Sequence, residues 1–252
     1  MLPVEIKHLS PQCELHIIDV PAINNNLEKL LDRFLVSICE GDSDSELSLV
    51  KLRLRNFFED KKKNTKMGSI AEFFVHLYLQ SIGYKQEFLF FNLEEGSIKK
   101  GFDGFFSKES NTFLLESKSG CITSEKMAHK DKLKSAYSDL DKYVAGKSEK
   151  GKNNPWKNAY NHASHDDVGA EKAIKDKLKK LRNMFDLGSF CKIDDFNIIP
   201  CSTIFLDGSW NSAKTTEILT DHNFLSKFSG NTVKAICVTK TSLDMFFNYL
   251  GK

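Results

Sequence analysis

The sequence predicts an α/β or α+β fold: one central mixed sheet flanked by helices, preceded by a small helix-rich module. Three observations carry this. From Thr65 onward, apolar stripes at helical spacing alternate with short apolar runs at strand spacing. The strand-like runs are separated by turn-type clusters such as "KESN". The chain has 252 residues, of which 40% are hydrophobic and 28% charged, enough to bury one sizeable core.

Residues 1–64 read as an interaction or support module. "CELHIIDVP" is a short strand ended by Pro21. "NNNLEKLLDRFLVSICEG" starts with asparagine caps, repeats leucine and phenylalanine at helical spacing, and stops at Gly41. "SDSELSLVKLRLRNFFEDKKK" is a second helix, with Ser45 and Glu46 at its start and cations at its end, as the helix dipole favours.

Residues 65–252 form the second expected unit. In "TKMGSIAEFFVHLYLQSIGY", Ile70, Phe73, Phe74, Leu77 and Tyr78 share one stripe, and Gly83 closes the helix. Three strands follow: "KQEFLFFNL", "FDGFFS" and "TFLLESK", the first two joined by "EEGSIKKG" and the last two by "KESN". A long helix is expected from Ser124 and Glu125 to about Lys147, then a polar insert, "SEKGKNNPWKNAYNHASHDDVG", and a basic helix to about Met184. Strands in "FNIIPCSTIFLDG" and "TVKAICVTK" and a closing helix, "SLDMFFNYLG", complete the chain. The order from Thr65 is helix, three strands, helix, strand.

Composition excludes several classes. No apolar stretch approaches the roughly 20 residues that cross a bilayer, and "MLPVEIKHLSPQ" lacks the basic start and apolar run of a signal peptide, so a cytoplasmic protein without membrane contact is expected. The six cysteines are scattered, with no C-x-x-C, and read as reduced thiols. No G-x-S-x-G or G-x-x-x-x-G-K-[ST] occurs, so hydrolase-triad and nucleotide-binding readings find no support. Net charge is only +2, but residues 118–182 hold 15 lysines and one arginine against nine acids, a local +7. That imbalance suits a phosphate-rich partner. On the long helix, Lys130, Lys134 and Tyr137 share a face suited to phosphates.

E-x-K occurs three times, and two copies, Glu5–Lys7 and Glu59–Lys61, lie where solvated charge explains them. The third, Glu116-Ser117-Lys118, closes an apolar strand, and alternation puts Glu116 and Lys118 on one face. Asp103 begins the neighbouring strand, and antiparallel pairing brings it to the same rim. Two carboxylates that close repel unless a divalent cation sits between them. Mg²⁺, with Mn²⁺ as a substitute, prefers such oxygen donors. Lys118 is placed to assist an attacking water or offset charge on a phosphate. Glu72, a lone acid in an apolar helix, is the candidate third carboxylate. The expected catalytic set is therefore Glu72, Asp103, Glu116 and Lys118, with Asp103, Glu116 and Glu72 on the metal.

This helix-Glu, strand-Asp, strand-Glu-x-Lys order resembles the PD-(D/E)xK nuclease superfamily, which implies a restriction-endonuclease-like core. Phe102 stands where the name-giving proline would be. "GSIAEFFVHLYL", "KKGFDGFF", "LLESKSG" and "LKSAYSDLDKYV", within roughly residues 66–250, resemble the HamA-type nuclease subunit of Hachiman anti-phage systems. That resemblance implies a bacterial defence effector acting on DNA, held in check by a partner helicase encoded nearby. The rival expectation is a non-catalytic nucleic-acid-binding or adaptor module on the same fold. "YNHASHDD", with His162, His165, Asp166 and Asp167, reads as a mobile polar loop, and Ser209, Trp210 and Lys214 as a loop near the substrate.

Overall fold

The computed structural model describes residues 2–90, 101–125, 127–148 and 154–252. Its strands are β1 (Val4–Ser10), β2 (Cys13–Val20), β3 (Lys85–Gln86), β4 (Gly104–Lys108), β5 (Asn111–Cys121), β6 (Asn197–Phe205) and β7 (Thr232–Lys240). They form one sheet in the order β1-β2-β7-β6-β5-β4-β3. The four inner strands β2, β7, β6 and β5 are parallel, with antiparallel strands outside them at both edges. The fold is thus α/β with a mixed central sheet flanked by helices, as expected.

The helices are α1 (Asn25–Glu40), α2 (Leu47–Glu59), α3 (Lys63–Ser81), α4 (His129–Val144), α5 (Pro155–Ala163), α6 (Lys172–Asp186), α7 (Ala213–Thr220) and α8 (Asp244–Leu250). None is long and apolar enough to cross a membrane among the described residues. Helices α1, α2, α3 and α8 share a core with Phe106, Leu115, Cys201 and Val238 on one sheet face. On the other face α4, α5 and α6 pack against Phe105, Leu114 and Ile198, and α7 joins α4 over Leu15 and Cys237. Because both faces are covered, β6 is buried along its whole length.

Residues 1–64, expected as a module of their own, place β1 and β2 in this same sheet and α1 and α2 in the same core as α3. Strand β1 went unread in the sequence because, as an edge strand, it buries none of its residues fully and shows no regular alternation. Helix α1 starts where expected, with Asn24 Oδ1 accepting from Leu27 N at 3.0 Å. It ends at Gly41, whose φ is +70°; a β-carbon there would fall 2.1 Å from the Asp167 carbonyl oxygen.

Four differences bear on the site. Strand β5 runs to Cys121 rather than ending at Lys118, because Lys118 to Cys121 pair with Ser202 to Phe205 of β6. Helix α4 accordingly begins at His129, later than Ser124. The strand expected over 85–93 pairs only at Lys85 and Gln86; its last residues and nearly all of the following turn lie outside the described residues, as do Lys126 and 149–153. The described part of the polar insert is no mobile loop. Asn154 caps α5, Pro155 occupies its first turn, and Trp156 anchors it at 1% exposure. Last, β6 is a central strand despite Pro200. Its pairing with β7 passes from Ile198↔Val233 to Cys201↔Ile236, stepping over the residue that has no N–H to donate.

Candidate active site: an acidic rim between β4, β5 and α4

The site forms where β4 stops and β5 continues. Gly104 pairs with Leu115, and the Asp103 N–H donates to the Leu115 carbonyl at 3.0 Å, which sets Asp103 beside Glu116. The Asp103 carboxylate then accepts from the Ser117 N–H at 2.7 Å. Glu116 is 2% exposed and stands opposite Pro200 of β6. One of its oxygens, Oε1, accepts from Lys118 Nζ at 2.5 Å; the other, Oε2, is buried with no hydrogen-bond partner.

Lys118 reaches a second acid that sequence reasoning missed, Asp139 Oδ2 on α4, at 2.7 Å. Burial, the Asp103 charge and, more weakly, that of Asp139 push the Glu116 carboxyl well above its ordinary range, against the pull of Lys118. Burial alone would lower the Lys118 pKa, but Glu116 and Asp139 together raise it, so Lys118 stays an ammonium ion. One turn beyond Asp139, Tyr143 packs edge-on against Phe102 at 5.7 Å between ring centroids. Its hydroxyl is pushed up by burial and then by the Glu116 charge. The signal for these two was their four-residue spacing in "DLDKY"; only the docking of α4 reveals which way that spacing faces.

Helix α4 is pinned at its first turn. His129, 1% exposed, holds Ser202 Oγ through Nδ1 at 2.8 Å and Thr239 Oγ1 through Nε2 at 3.1 Å. Burial lowers its pKa to about 3, so the ring is neutral and links α4 to β6 and β7. Ser202 is the β6 partner of Lys118, so this anchor lies next to the rim.

The other expected residues fall elsewhere. Glu72 is half-buried on α3, the helix that covers the Leu115 face of the sheet, whereas Glu116 and Lys118 alternate onto the α4 face. Among the described residues, no three His, Cys, Asp or Glu side chains are gathered so as to hold a metal ion. Glu72 belongs to the helix on the sheet face opposite the Glu116–Lys118 side. Lys130, Lys134 and Tyr137 do share a flank of α4, but the one away from the rim. Lys130 pairs with Asp221 at 2.7 Å, both lysines lie over the Phe224 ring at 5.7 Å, and Tyr137 stacks on Phe228 at 4.2 Å. His162 is buried and stacks on Phe88 at 5.0 Å, while His165, Asp166 and Asp167 are exposed. Ser209 and Trp210 lie past the far end of β6, and Lys214 pairs with Glu217 at 2.7 Å. All six cysteines are free thiols.

The donor set suits a hard divalent cation. It offers two adjacent carboxylates and a buried oxygen with no partner, and Mg²⁺ is commonly held by one or two carboxylates with waters completing its shell. A family model described as HamA matches residues 5–239, so the match takes in the N-terminal strands and helices as well as the rim. No curated protein aligns significantly with the chain.

Proposed function

The chain belongs to the HamA family, which fits a Hachiman defence-related protein; on that premise we propose that it is a metal-dependent DNA endonuclease, a cytoplasmic effector of bacterial anti-phage defence controlled by a partner helicase. We assign it a PD-(D/E)xK-type, restriction-endonuclease-like core. One observation supports the reading above the rest: a buried Glu116 with an unpartnered oxygen, beside Asp103, with Lys118 held across Glu116 and Asp139. Leaving a buried acceptor unsatisfied costs about 1–3 kcal/mol, a cost that core packing alone would avoid.

In this reading Asp103 and Glu116 hold Mg²⁺, or Mn²⁺ in its place. When bound, the cation supplies Lewis acidity toward the phosphate. The Ser117 N–H fixes one Asp103 oxygen and so orients that carboxylate. Lys118, kept as an ammonium, donates to the attacking water or a phosphate oxygen and offsets charge there; it does not act as the base. Asp139 gives the Lys118 amine a second carboxylate besides Glu116 and so fixes its position. Phe102 and Tyr143 wall the rim and limit water.

The test is incubation of the purified chain with plasmid DNA and Mg²⁺ or Mn²⁺, alone and with the product of the neighbouring gene. Wild type should nick or linearise the plasmid, and Asp103→Asn and Lys118→Met should not. Cutting that survives either substitution overturns the site assignment. DNA binding without cutting under every condition favours the adaptor reading.

A further inference from the structure

We infer that Lys132, and not the lysines on the outer flank of α4, is the residue that grips the DNA backbone beside the acidic rim. This rests on the nuclease reading of the rim. Along β5, Glu116, Lys118 and Gly120 alternate onto the face that α4 covers, two residues or about 6.6 Å apart. Gly120 leaves a slot there. A β-carbon added at Gly120 would lie 2.3 Å from Met127 Sδ and 3.0 Å from Lys132 Cε. Met127 fills most of that slot, and the end of the Lys132 side chain runs along its margin over β5. Its terminal carbons lie next in line after Glu116 and Lys118.

Helical geometry supports the assignment. At about 100° per residue, Lys132, Asp139 and Tyr143 lie on one flank of α4, and Lys130, Lys134 and Tyr137 on the other. The buried stripe of Leu133, Ala136, Leu140 and Val144 separates them. The outer flank is already engaged, through Asp221, Phe224 and Phe228. Lys118 is shared by two carboxylates. Lys132 is half-exposed and, among the described residues, takes no ion-pair or hydrogen-bond partner. A cation left open next to a cutting site is suited to a phosphate of the same strand, one step from the bond to be broken. Phosphate neutralisation carries no sequence information, so this contact serves position and affinity.

The experiment measures binding of a short fluorescent duplex in EDTA, where nothing is cut, across a series of salt concentrations. Lys132→Met should weaken binding several-fold near 0.1 M salt and lower the slope of log K against log salt by about one. Lys130→Met should change neither. Circular dichroism should confirm that Lys132→Met keeps the fold. In cleavage assays Lys132→Met should raise KM several-fold and leave kcat within about twofold. Binding and slope equal to wild type in Lys132→Met overturn the inference, as does an equal loss in Lys130→Met. If wild type still cuts in a Lys118-dependent way, the nuclease reading survives that result. If wild type neither binds nor cuts, that reading falls and takes this inference with it.

Discussion

Replacing Lys240 with methionine should stabilise this protein. Lys240 ends β7 at 0% exposure, and its amine has no hydrogen-bond partner. Nζ lies 3.2 Å from the centroid of the Phe74 ring, and burial depresses its pKa well below the ordinary lysine value. An amine buried without a partner costs about 1–3 kcal/mol. Methionine keeps the length and apolar body of the side chain, and such near-isosteric swaps cost under about 1.5 kcal/mol. The net gain is about 1–2 kcal/mol, which for a chain of this size raises Tm by roughly 2–8 °C. The pH dependence follows from the depressed pKa. Between the folded-state pKa and the unfolded value near 10.4, the unfolded chain binds the extra proton, so wild-type stability rises with pH. The advantage of Lys240→Met is therefore largest toward neutral pH and fades as the pH approaches 10. Urea unfolding of both proteins at pH 7 and near pH 10, followed by circular dichroism, measures this. A variant no more stable than wild type at pH 7 would mean that a charged ammonium over Phe74 repays its desolvation, and would refute the reasoning.

Three other outcomes are expected. Asp139→Asn should leave the fold intact but reduce cleavage about tenfold or more, because Lys118 then hangs on Glu116 alone; unchanged plasmid-cutting rates would remove Asp139 from the site. His129→Leu should destabilise by about 1–3 kcal/mol, since Ser202 loses its partner and Thr239 keeps only Thr215 at 3.5 Å; equilibrium denaturation checks this. Burial alone would raise the Glu14 pKa, but Lys234 and His16 draw it down to about 2. Its contribution is present above the usual value near 4.5 and lost as pH falls toward 2, so Lys234→Met should flatten acid unfolding across that window.

Much of the site was readable along the chain. The β4–β5 hairpin turns at Glu109 and Ser110, within the expected "KESN", with Glu109 at φ +55°. A short turn fixes register, and register puts Asp103 against Glu116. The position of Glu72 was less legible, because helical periodicity tells which residues of α3 are buried but not which sheet face they cover. Asp139 and Lys132 were missed for a related reason. The stripe of α4 is legible, but the roles of its two flanks depend on which strands lie beneath it.

What the sequence determined by itself was local. Alternation in β5, the hairpin before it and the apolar stripes of α1, α3 and α4 follow from backbone periods of two and 3.6 residues, which act within about a dozen positions. What only the tertiary structure decided was non-local: that β1 and β2 join the sheet through β7, that Pro200 can sit in a central strand opposite Glu116, and that Lys118 answers to an acid on α4. Those choices are set by how helices and strands far apart in the chain bury their faces together, and packing of that kind leaves no period in the sequence.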